Sequence, residues 1–329
     1  MVTMRDLARA AGVATSTVSK ALRDDPTIPV KRCEEIKKLA HKLGYIPHPM
    51  VSALMSQLHR QRRKSDPHHI AWLDFWNVDE KPIPILKPLL VGARQRANQF
   101  GYGIEVHRVA VDNTNITRLR QILVTRGQWG LIIPPVPESA MNLAFDLRGF
   151  SGVTIGTSLH QPIMHRVSPN HFQGAQLAVD RLREKGFRRI GLVLSPAKNQ
   201  RVEGKWLGAY LARQCEWPSN ERLPPLFADH ADEIAFSKWW RQHKPDAVML
   251  GEKHVLEWMQ RLPRGRVKPP SIACLAHEIT QAKVQGIDCQ PECIGAAAVE
   301  LVISQIHRNE RSSPAEPHTV YLDGVWVEH

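Results

Sequence analysis

Two helical patterns that follow each other with almost no link between them limit the fold of this chain more than any other feature. Apolar residues recur at helical spacing in residues 3–12, at Met4, Leu7, Ala8 and Ala11. Thr3 is placed to cap the start of this helix, and Gly12 is placed to end it. A second helix begins near Ala14–Thr15, so only two or three residues connect the two helices. A connection of that length permits only a sharp turn.

The second helix, in VATSTVSKALRDD at residues 13–25, combines a narrow apolar stripe with an unusual polar face. The stripe is Val18, Ala21 and Leu22, and the polar residues are Thr15, Ser16, Thr17, Ser19, Lys20 and Arg23. A third helix is expected over about 30–43. Helix, tight turn, helix and supporting helix is the helix-turn-helix arrangement, whose second helix enters the DNA major groove. Short hydroxyls and Lys20 can bond phosphates or base edges there.

The distribution of charge supports this interpretation. The chain of 329 residues has a formal net charge of +12. Residues 1–64 hold 13 Lys/Arg and 5 Asp/Glu, a net charge of +8, so two thirds of the excess lies in the first fifth of the chain. A small basic module is typical of a protein that binds a polyanion. An ordinary three-helix bundle with a solvated polar face is the alternative, and the concentration of basic residues argues against it.

The segment MRDLARAAGVATSTVSKAL (4–22), followed by EEIKKLAHKLGYIPHPMVSALMSQL (34–58), resembles the DNA-binding head of the LacI/GalR family. The resemblance implies base contacts from Thr15, Ser16 and Lys20, phosphate contacts from Thr17 and Ser19, and a tyrosine, Tyr45, that seats the head on the DNA backbone. Three positions depart from the family pattern: Arg23 stands where Asn is usual, Pro29 replaces a Ser/Thr cap, and Cys33 replaces a phosphate-contacting Arg. Arg23 is a cation and is kept among the expected DNA contacts.

Residues 47–58, PHPMVSALMSQL, are expected to form a short hinge helix. Pro47 and Pro49 can start a helix but cannot lie inside one, and the run that follows is too short to be stable alone. By resemblance, the hinge orders when two copies pack together on DNA, and Leu54 wedges into a minor-groove base step. Packing of Leu54 in a dimer interface is the alternative. Residues 59–69, HRQRRKSDPHH, are expected to be a solvated basic linker.

From residue 70 onward, short apolar runs alternate with amphipathic helical segments. The expected strands are 70–76, 103–109, 130–135, 152–157, 190–195, 246–251, 271–276 and 284–288. Apolar strands that alternate with helices predict parallel sheets covered on both faces, here two doubly wound α/β lobes. The resemblance implies the two-lobed, type I fold of periplasmic sugar-binding proteins in a homodimer. The first lobe is expected at about 70–159 and 290–317, and the second at about 160–289 and 318–329.

Open α/β sheets bind ligands beyond the carboxyl ends of their strands. These ends and the resemblance give eight expected effector-binding residues: Asp74, Trp76, Thr157, Asn170, Arg201, Trp206, Glu252 and His277. Arg201 matches the family's effector-gripping arginine, with an interlobe or surface ion pair as the alternative. Trp76 and Trp206 either stack on a ligand ring or belong to the core.

The resemblance implies a sugar or sugar derivative as effector. Two departures bear on that expectation, since Asn170 replaces a usual Asp, and CLAHE at 274–278 replaces an acidic motif that often bonds sugar hydroxyls in relatives. A regulator of this family with no small-molecule ligand therefore remains an alternative.

Enzyme motifs are missing from the sequence. It contains no G-x-x-x-x-G-K-[ST] phosphate loop, no G-x-S-x-G elbow, no G-x-G-x-x-G after a strand and no H-E-x-x-H. We therefore expect no catalytic residue, cofactor or metal, and an enzyme fused to a DNA-binding head is a remote alternative.

Several features bear on location. Five scattered cysteines fit reduced thiols in the cytoplasm, the N-terminus lacks an apolar signal segment, and no apolar run approaches the roughly 20 residues of a membrane span. The sequence thus predicts a cytoplasmic, nucleoid-associated regulator, a repressor, that binds a pseudo-palindromic operator as a homodimer under the control of a small molecule.

Overall fold

The structure, a computed structural model, describes residues 2–22, 28–43, 45, 68–76, 84–110, 113–139, 141–261, 271–276 and 284–328. It has two compact units, Met1–Pro67 with His307–Asn309, and His68–Ile306 with Glu310–His329. The expected hinge at 47–58 with Leu54 lies outside the described residues, as do Arg23 and His277. The linker expected at 59–69 ends earlier than predicted, because His68 and His69 already pair with the neighbouring strand of a sheet.

The described residues of the N-terminal unit form three helices, α1 (Met4–Ala11), α2 (Thr15–Ala21) and α3 (Val30–Lys42). Thr3 and Asp6 form a capping box at the start of α1, in which Thr3 N donates to the Asp6 carboxylate at 2.9 Å. Gly12 ends α1 at a φ of 64°, a left-handed conformation in which a side chain would be strained. The turn predicted from the spacing is therefore made by the glycine, and α2 begins three residues later.

A small apolar core determines which face of α2 is left for other contacts. Leu7, Val18 and Ile36 contribute one buried side chain from each helix, and each is at most 1% exposed. Cys33 belongs to the same core and is 3% exposed. The position at which the family pattern has a phosphate-contacting arginine thus points inward in this chain.

The second unit is built on two six-stranded sheets in which nearly all neighbours are parallel. In spatial order the first sheet is β13 (Thr319–Leu322), β7 (His165–Pro169), β5 (Ser151–Ile155), β3 (Gly130–Ile133), β1 (His68–Asp74) and β2 (Tyr102–Arg108). The second is β14 (Val325–Val327), β12 (Gly286–Asp288), β11 (Ser271–Cys274), β10 (Ala247–Leu250), β8 (Ile190–Leu194) and β9 (Leu226–Phe227). A two-stranded ribbon pairs β4 (Met141–Asn142) with β6 (Leu159–Gln161). Each of the eight expected strands overlaps one of these.

The chain crosses between the two lobes at positions that differ from the expected ones. β7 pairs with β5, and β13 pairs with β7, so both strands extend the first sheet. Two crossings therefore follow Pro169 and Leu322, instead of lying near residues 160 and 318. The third lies between β12 and the helix α11 (Pro291–Arg308), close to the expected position. Both differences have the same cause. The runs that form β7 and β13 are short, and the sequence pattern does not predict them as strands.

Helices cover both faces of each sheet, as the alternating pattern predicted. On the first sheet, α4 (Leu86–Gln99) and α11 cover one face and α5 (Asn113–Thr125) covers the other. On the second sheet, α6 (His171–Glu184) and α8 (Lys205–Gln214) cover one face, and α9 (Glu233–His243) and α10 (Lys253–Arg261) cover the other. The short helix α7 (Pro196–Arg201) follows the carboxyl end of β8. None of the described helices combines the length and the apolar composition that crossing a bilayer requires.

Two glycines allow α4 and α11 to cross with their backbones almost in contact. A Cβ atom placed on Gly92 would lie 1.9 Å from the carbonyl oxygen of Glu292. A Cβ on Gly295 would lie 2.0 Å from the carbonyl oxygen of Leu89. Since backbone atoms block both positions, no rotamer change can relieve the overlap.

Gly295→Ala is therefore expected to lower the free energy of unfolding by about 1–3 kcal/mol, as overpacking of a closed interface does. Gly208 in α8 provides a matched control, because a Cβ there would meet only a ring carbon of Phe172 at 3.9 Å. Gly208→Ala is expected to raise the same free energy by about 0.5–1 kcal/mol through helix propensity. Denaturant unfolding measures both effects, and changes of the same sign would contradict the close helix crossing.

Candidate functional site

The face of α2 that does not enter the core carries the residues expected to read DNA. Val18 and Ala21 are fully buried. On the rest of the helix Thr15, Ser16 and Lys20 are exposed, and Thr17 and Ser19 are half-buried. Ser16 and Lys20 are four residues apart and therefore neighbours on the helix surface. Beyond α3, Tyr45 is half-buried against the head core, and its backbone N–H donates to Ala40 O at 2.9 Å. The head thus presents hydroxyls and a cation on one helix face.

The second unit contains a cavity of about 230 Å³ at the strand ends of its two lobes, here called the interlobe cavity. Four of the eight expected effector residues line it: Trp76, Thr157, Arg201 and Trp206. Trp206 is also a core residue of the second lobe, at 1% exposure, as the core interpretation of this tryptophan predicted, and stacking on a ligand ring stays a prediction. Apolar residues that no motif indicated supply much of the wall: Ile85, Leu89, Pro135, Val202, Ala276 and Ile294.

Arg201 bridges the two lobes across this cavity. Its Nη1 and Nη2 atoms donate to the carbonyl oxygens of Pro137 at 2.9 Å and Val136 at 2.5 Å, in the loop after β3. In the opposite direction, Thr157 Oγ1 donates to the Arg201 carbonyl oxygen at 2.5 Å. The guanidinium carbon lies 5.9 Å from the centroid of the Trp76 ring. Burial lowers the pKa of Arg201, although a guanidinium still remains charged at neutral pH.

The ion-pair alternative for Arg201 finds no support in the described part of the chain. Its partners among the described residues are carbonyl oxygens and an aromatic ring, and none of the described carboxylates pairs with it. Arg201 is therefore a half-buried cation whose guanidinium donates to two peptide carbonyls.

Asp74 and Asn170, expected to face the effector, instead stabilise local structure. The Asp74 carboxylate accepts from Trp76 N at 3.1 Å and so holds the turn that places this tryptophan beside the cavity. Asn170 caps the start of α6 and donates from Nδ2 to Asp323 Oδ1 at 2.7 Å, which ties together two of the lobe crossings. Neither side chain lines the interlobe cavity. A carboxylate or an amide at a strand end has exposed backbone N–H groups within reach, and here those groups are the partners.

Glu252, the third expected effector residue outside the cavity lining, holds α7 in place. Its carboxylate accepts from Ser195 N at 2.8 Å and from Ser195 Oγ at 2.7 Å. Ser195 in turn caps α7 by accepting from Lys198 N at 3.1 Å. Glu252 thus acts on the cavity through the helix that carries Arg201.

His171 and Lys198 line the cavity but were not predicted. Lys198 lies three residues before Arg201 on α7, so helical spacing alone would have placed it on the same face. His171 is the first residue of α6, directly after the crossing at Asn170, and its ring stands edge-on to Trp206 at a centroid distance of 5.2 Å. The Nδ1 atom of His171 is buried without a hydrogen-bond partner among the described residues. No sequence motif marks it.

Burial and the charges of Lys205 and Lys198 lower the pKa of His171 to about 3, from an ordinary value near 6.5. Because the unfolded chain binds this proton below about pH 6.5 and the folded chain does not, the stabilising contribution is complete above that pH and is lost as the pH falls. Between about pH 7.5 and 5.5, the wild type is expected to lose about 1 kcal/mol more unfolding free energy than His171→Phe. Denaturant unfolding at the two pH values measures this difference, and identical losses would show that His171 is protonated in the folded state.

The head and the cavity were compared with known proteins. Residues 3–48 match the family model described as "Bacterial regulatory proteins, lacI family". The ribose operon repressor of Escherichia coli (strain K12) is 25% identical over 213 residues, which cover 60% of this chain and 56% of that protein. The chain thus spans little more than half the length of this relative. The NTD biosynthesis operon regulator NtdR of Bacillus subtilis (strain 168) is 21% identical over 326 residues, 94% of each chain.

A solved structure extends the comparison to the fold. The lac repressor dimer bound to operator and the anti-inducer ONPF matches with a TM-score of 0.55 at 16% identity, over 99% of this chain and 98% of that chain. At this identity the likeness shows the fold, which is the expected helix-turn-helix head with a two-lobed, periplasmic-binding-protein-like domain. The resemblance inferred from the sequence is confirmed. The N-terminal domain of this chain is therefore a LacI-family helix-turn-helix domain, and its second unit has the two-lobed α/β fold of the LacI/GalR regulators.

Proposed function

We propose that this chain is a sequence-specific DNA-binding transcriptional regulator, a repressor that acts in the cytoplasm on nucleoid DNA. The observation that carries the proposal is the exposed face of α2, where Thr15, Ser16 and Lys20 lie opposite a fully buried stripe. The family match over residues 3–48 supports it, as do relatives named as an operon repressor and an operon regulator. The lac repressor structure, a dimer on its operator, supports a homodimer on a pseudo-palindromic site.

The domains divide this work. Residues 1–46 are proposed to bind the major groove, with Arg23 and Tyr45 among the backbone contacts. Residues 47–58 are proposed as the hinge helix, with Leu54 as the minor-groove wedge. Residues 70–329 are proposed to form the dimer and to bind the effector. No catalytic step is part of the proposal.

The interlobe cavity is proposed as the effector site, with Arg201 as its central contact. Its walls come from both lobes, so a bound molecule changes the free energy of one lobe arrangement relative to another. The name of the ribose operon repressor points to a sugar-sized effector. Coupling between such a ligand and DNA is typically worth about 1–3 kcal/mol.

A regulator without any small-molecule ligand is the second candidate, and one observation favours it. Arg201 already bonds directly to Val136 and Pro137 across the cavity, so the lobes are joined without a ligand. In that case operator affinity would be the same with and without every small molecule that the cavity admits.

Selection of bound duplexes from a random DNA pool by the full chain tests the proposed function. The expected result is a pseudo-palindromic consensus whose affinity falls steeply with log salt, as contact with about 6–10 phosphates requires. Recovery of duplexes with no shared sequence would contradict specific DNA binding.

Lys20→Ala is expected to weaken binding to the selected operator by about 1–3 kcal/mol, because Lys20 is proposed to contact base edges. Lys38→Ala is the matched control, since Lys38 is also exposed but lies on α3. Lys38→Ala removes the same charge. It is expected to weaken binding to the operator and to a random duplex by similar amounts, both smaller than the loss from Lys20→Ala on the operator. Titrations of both variants on both duplexes measure the contrast, and equal losses from the two variants would show that α2 does not read bases.

A further inference from the structure

The walls of the interlobe cavity differ from what a neutral sugar needs. A sugar presents hydroxyls on most of its surface, and each buried hydroxyl requires a hydrogen-bond partner. The described walls are largely apolar, with Leu89, Ile155, Val202 and Ile294 among them. Of the few polar side chains, Thr157 already donates its hydroxyl proton to a carbonyl oxygen. On the described walls, a neutral sugar would therefore find few groups that accept hydrogen bonds from its hydroxyls.

The two described carboxylates expected at this site, Asp74 and Glu252, bond to other groups of the chain. Glu252 accepts from both the backbone and the side chain of Ser195, and Asp74 accepts from the backbone of Trp76. Neither lines the cavity, and no described lining residue is a carboxylate.

The charge of the lining has one sign. Arg201 and Lys198 are the charged lining residues in the described part of the chain, and no described carboxylate pairs with Arg201. A buried cation is normally paired, because an unpaired charge in an apolar site is costly. A guanidinium carries five N–H donors in a planar fork, and the two carbonyls engage two of them. The remaining N–H donors suit a carboxylate, whose negative charge a neutral sugar lacks.

We propose that the interlobe cavity binds a small organic carboxylate with an apolar ring or alkyl body. The carboxylate pairs with Arg201, and the apolar body packs against the hydrocarbon walls beside Trp76 and Trp206. His171, whose Nδ1 is buried and unpartnered among the described residues, offers one further hydrogen bond to a polar substituent. The inference rests on the proposed role of this cavity as the effector site and specifies the chemical class of the effector.

Matched acids and amides test this class in the wild-type full chain, where no variant has to fold. The probes are benzoate and benzamide, cyclohexanecarboxylate and cyclohexanecarboxamide, and the sugars D-ribose and D-xylose. Tryptophan fluorescence measures binding, because Trp76 and Trp206 line the cavity. Each carboxylate is expected to bind at least about tenfold more tightly than its amide, as a charge-assisted hydrogen bond to a buried cation requires. Both sugars are expected to bind more weakly than the carboxylates.

Arg201→Gln and Arg166→Gln form the variant pair. Arg166 also reaches from the first lobe to the second, 3.6 Å from Glu203, but does not line the cavity. Arg201→Gln is expected to reduce the preference for acid over amide to less than about threefold, because the charged partner of the carboxylate is lost. Arg166→Gln is expected to keep the full preference.

Operator affinity, measured beside each titration, separates this inference from the proposed function. Equal binding of acid and amide, tighter binding of a sugar, or no binding of either carboxylate would overturn the inference. Tighter binding of a sugar that also changes operator affinity would overturn the inference but would still support the proposed function as a ligand-controlled regulator. A carboxylate that binds with the expected preference but leaves operator affinity unchanged would support the inference and refute the effector role.

Discussion

One half-buried cation, Arg201, joins the two lobes across the interlobe cavity. Arg201 leaves the second lobe at the end of α7 and is held by the carbonyl oxygens of Val136 and Pro137 in the first lobe. Thr157 completes the link by donating to the Arg201 backbone. Hydrogen bonds to a charged group are among the stronger ones in proteins, and here they join elements that the sheets themselves do not connect. An anion that pairs with Arg201 would therefore contact the same group that joins the lobes.

The carboxylates near the cavity stabilise this arrangement instead of facing a ligand. Glu252 fixes Ser195, Ser195 caps α7, and α7 presents Arg201. Asp74 fixes the turn before Trp76 in the same way. These two carboxylates thus do not line the cavity, whose described lining is largely apolar and includes Arg201 and Lys198. The sequence departs from the family pattern at acidic positions, and the described cavity lining contains no carboxylate.

The sequence predicted those parts of the structure that depend on local periodicity. Three head helices, the turn at Gly12 and eight core strands followed from spacing and end signals. The lobe crossings at Pro169 and Leu322 did not, because β7 and β13 are short and acquire their identity from pairing at a sheet edge. Four cavity residues were predicted from strand ends, but whether a polar side chain there faces a ligand or the backbone depends on tertiary geometry. His171 and the apolar wall carry no motif, so only the fold could bring them together.

In the proposed regulator, binding of a ligand in the cavity and binding of DNA by the head are coupled through one conformational equilibrium. Linkage requires that a ligand and the operator change each other's affinity by the same factor, typically about 5–150-fold. The most direct test is a fluorescence titration of the full chain with cyclohexanecarboxylate, with and without saturating operator, beside an operator titration with and without saturating carboxylate. We predict that the operator changes the affinity for the carboxylate, and that the carboxylate changes the affinity for the operator by the same factor. A carboxylate affinity that is unchanged by the operator would contradict this coupling.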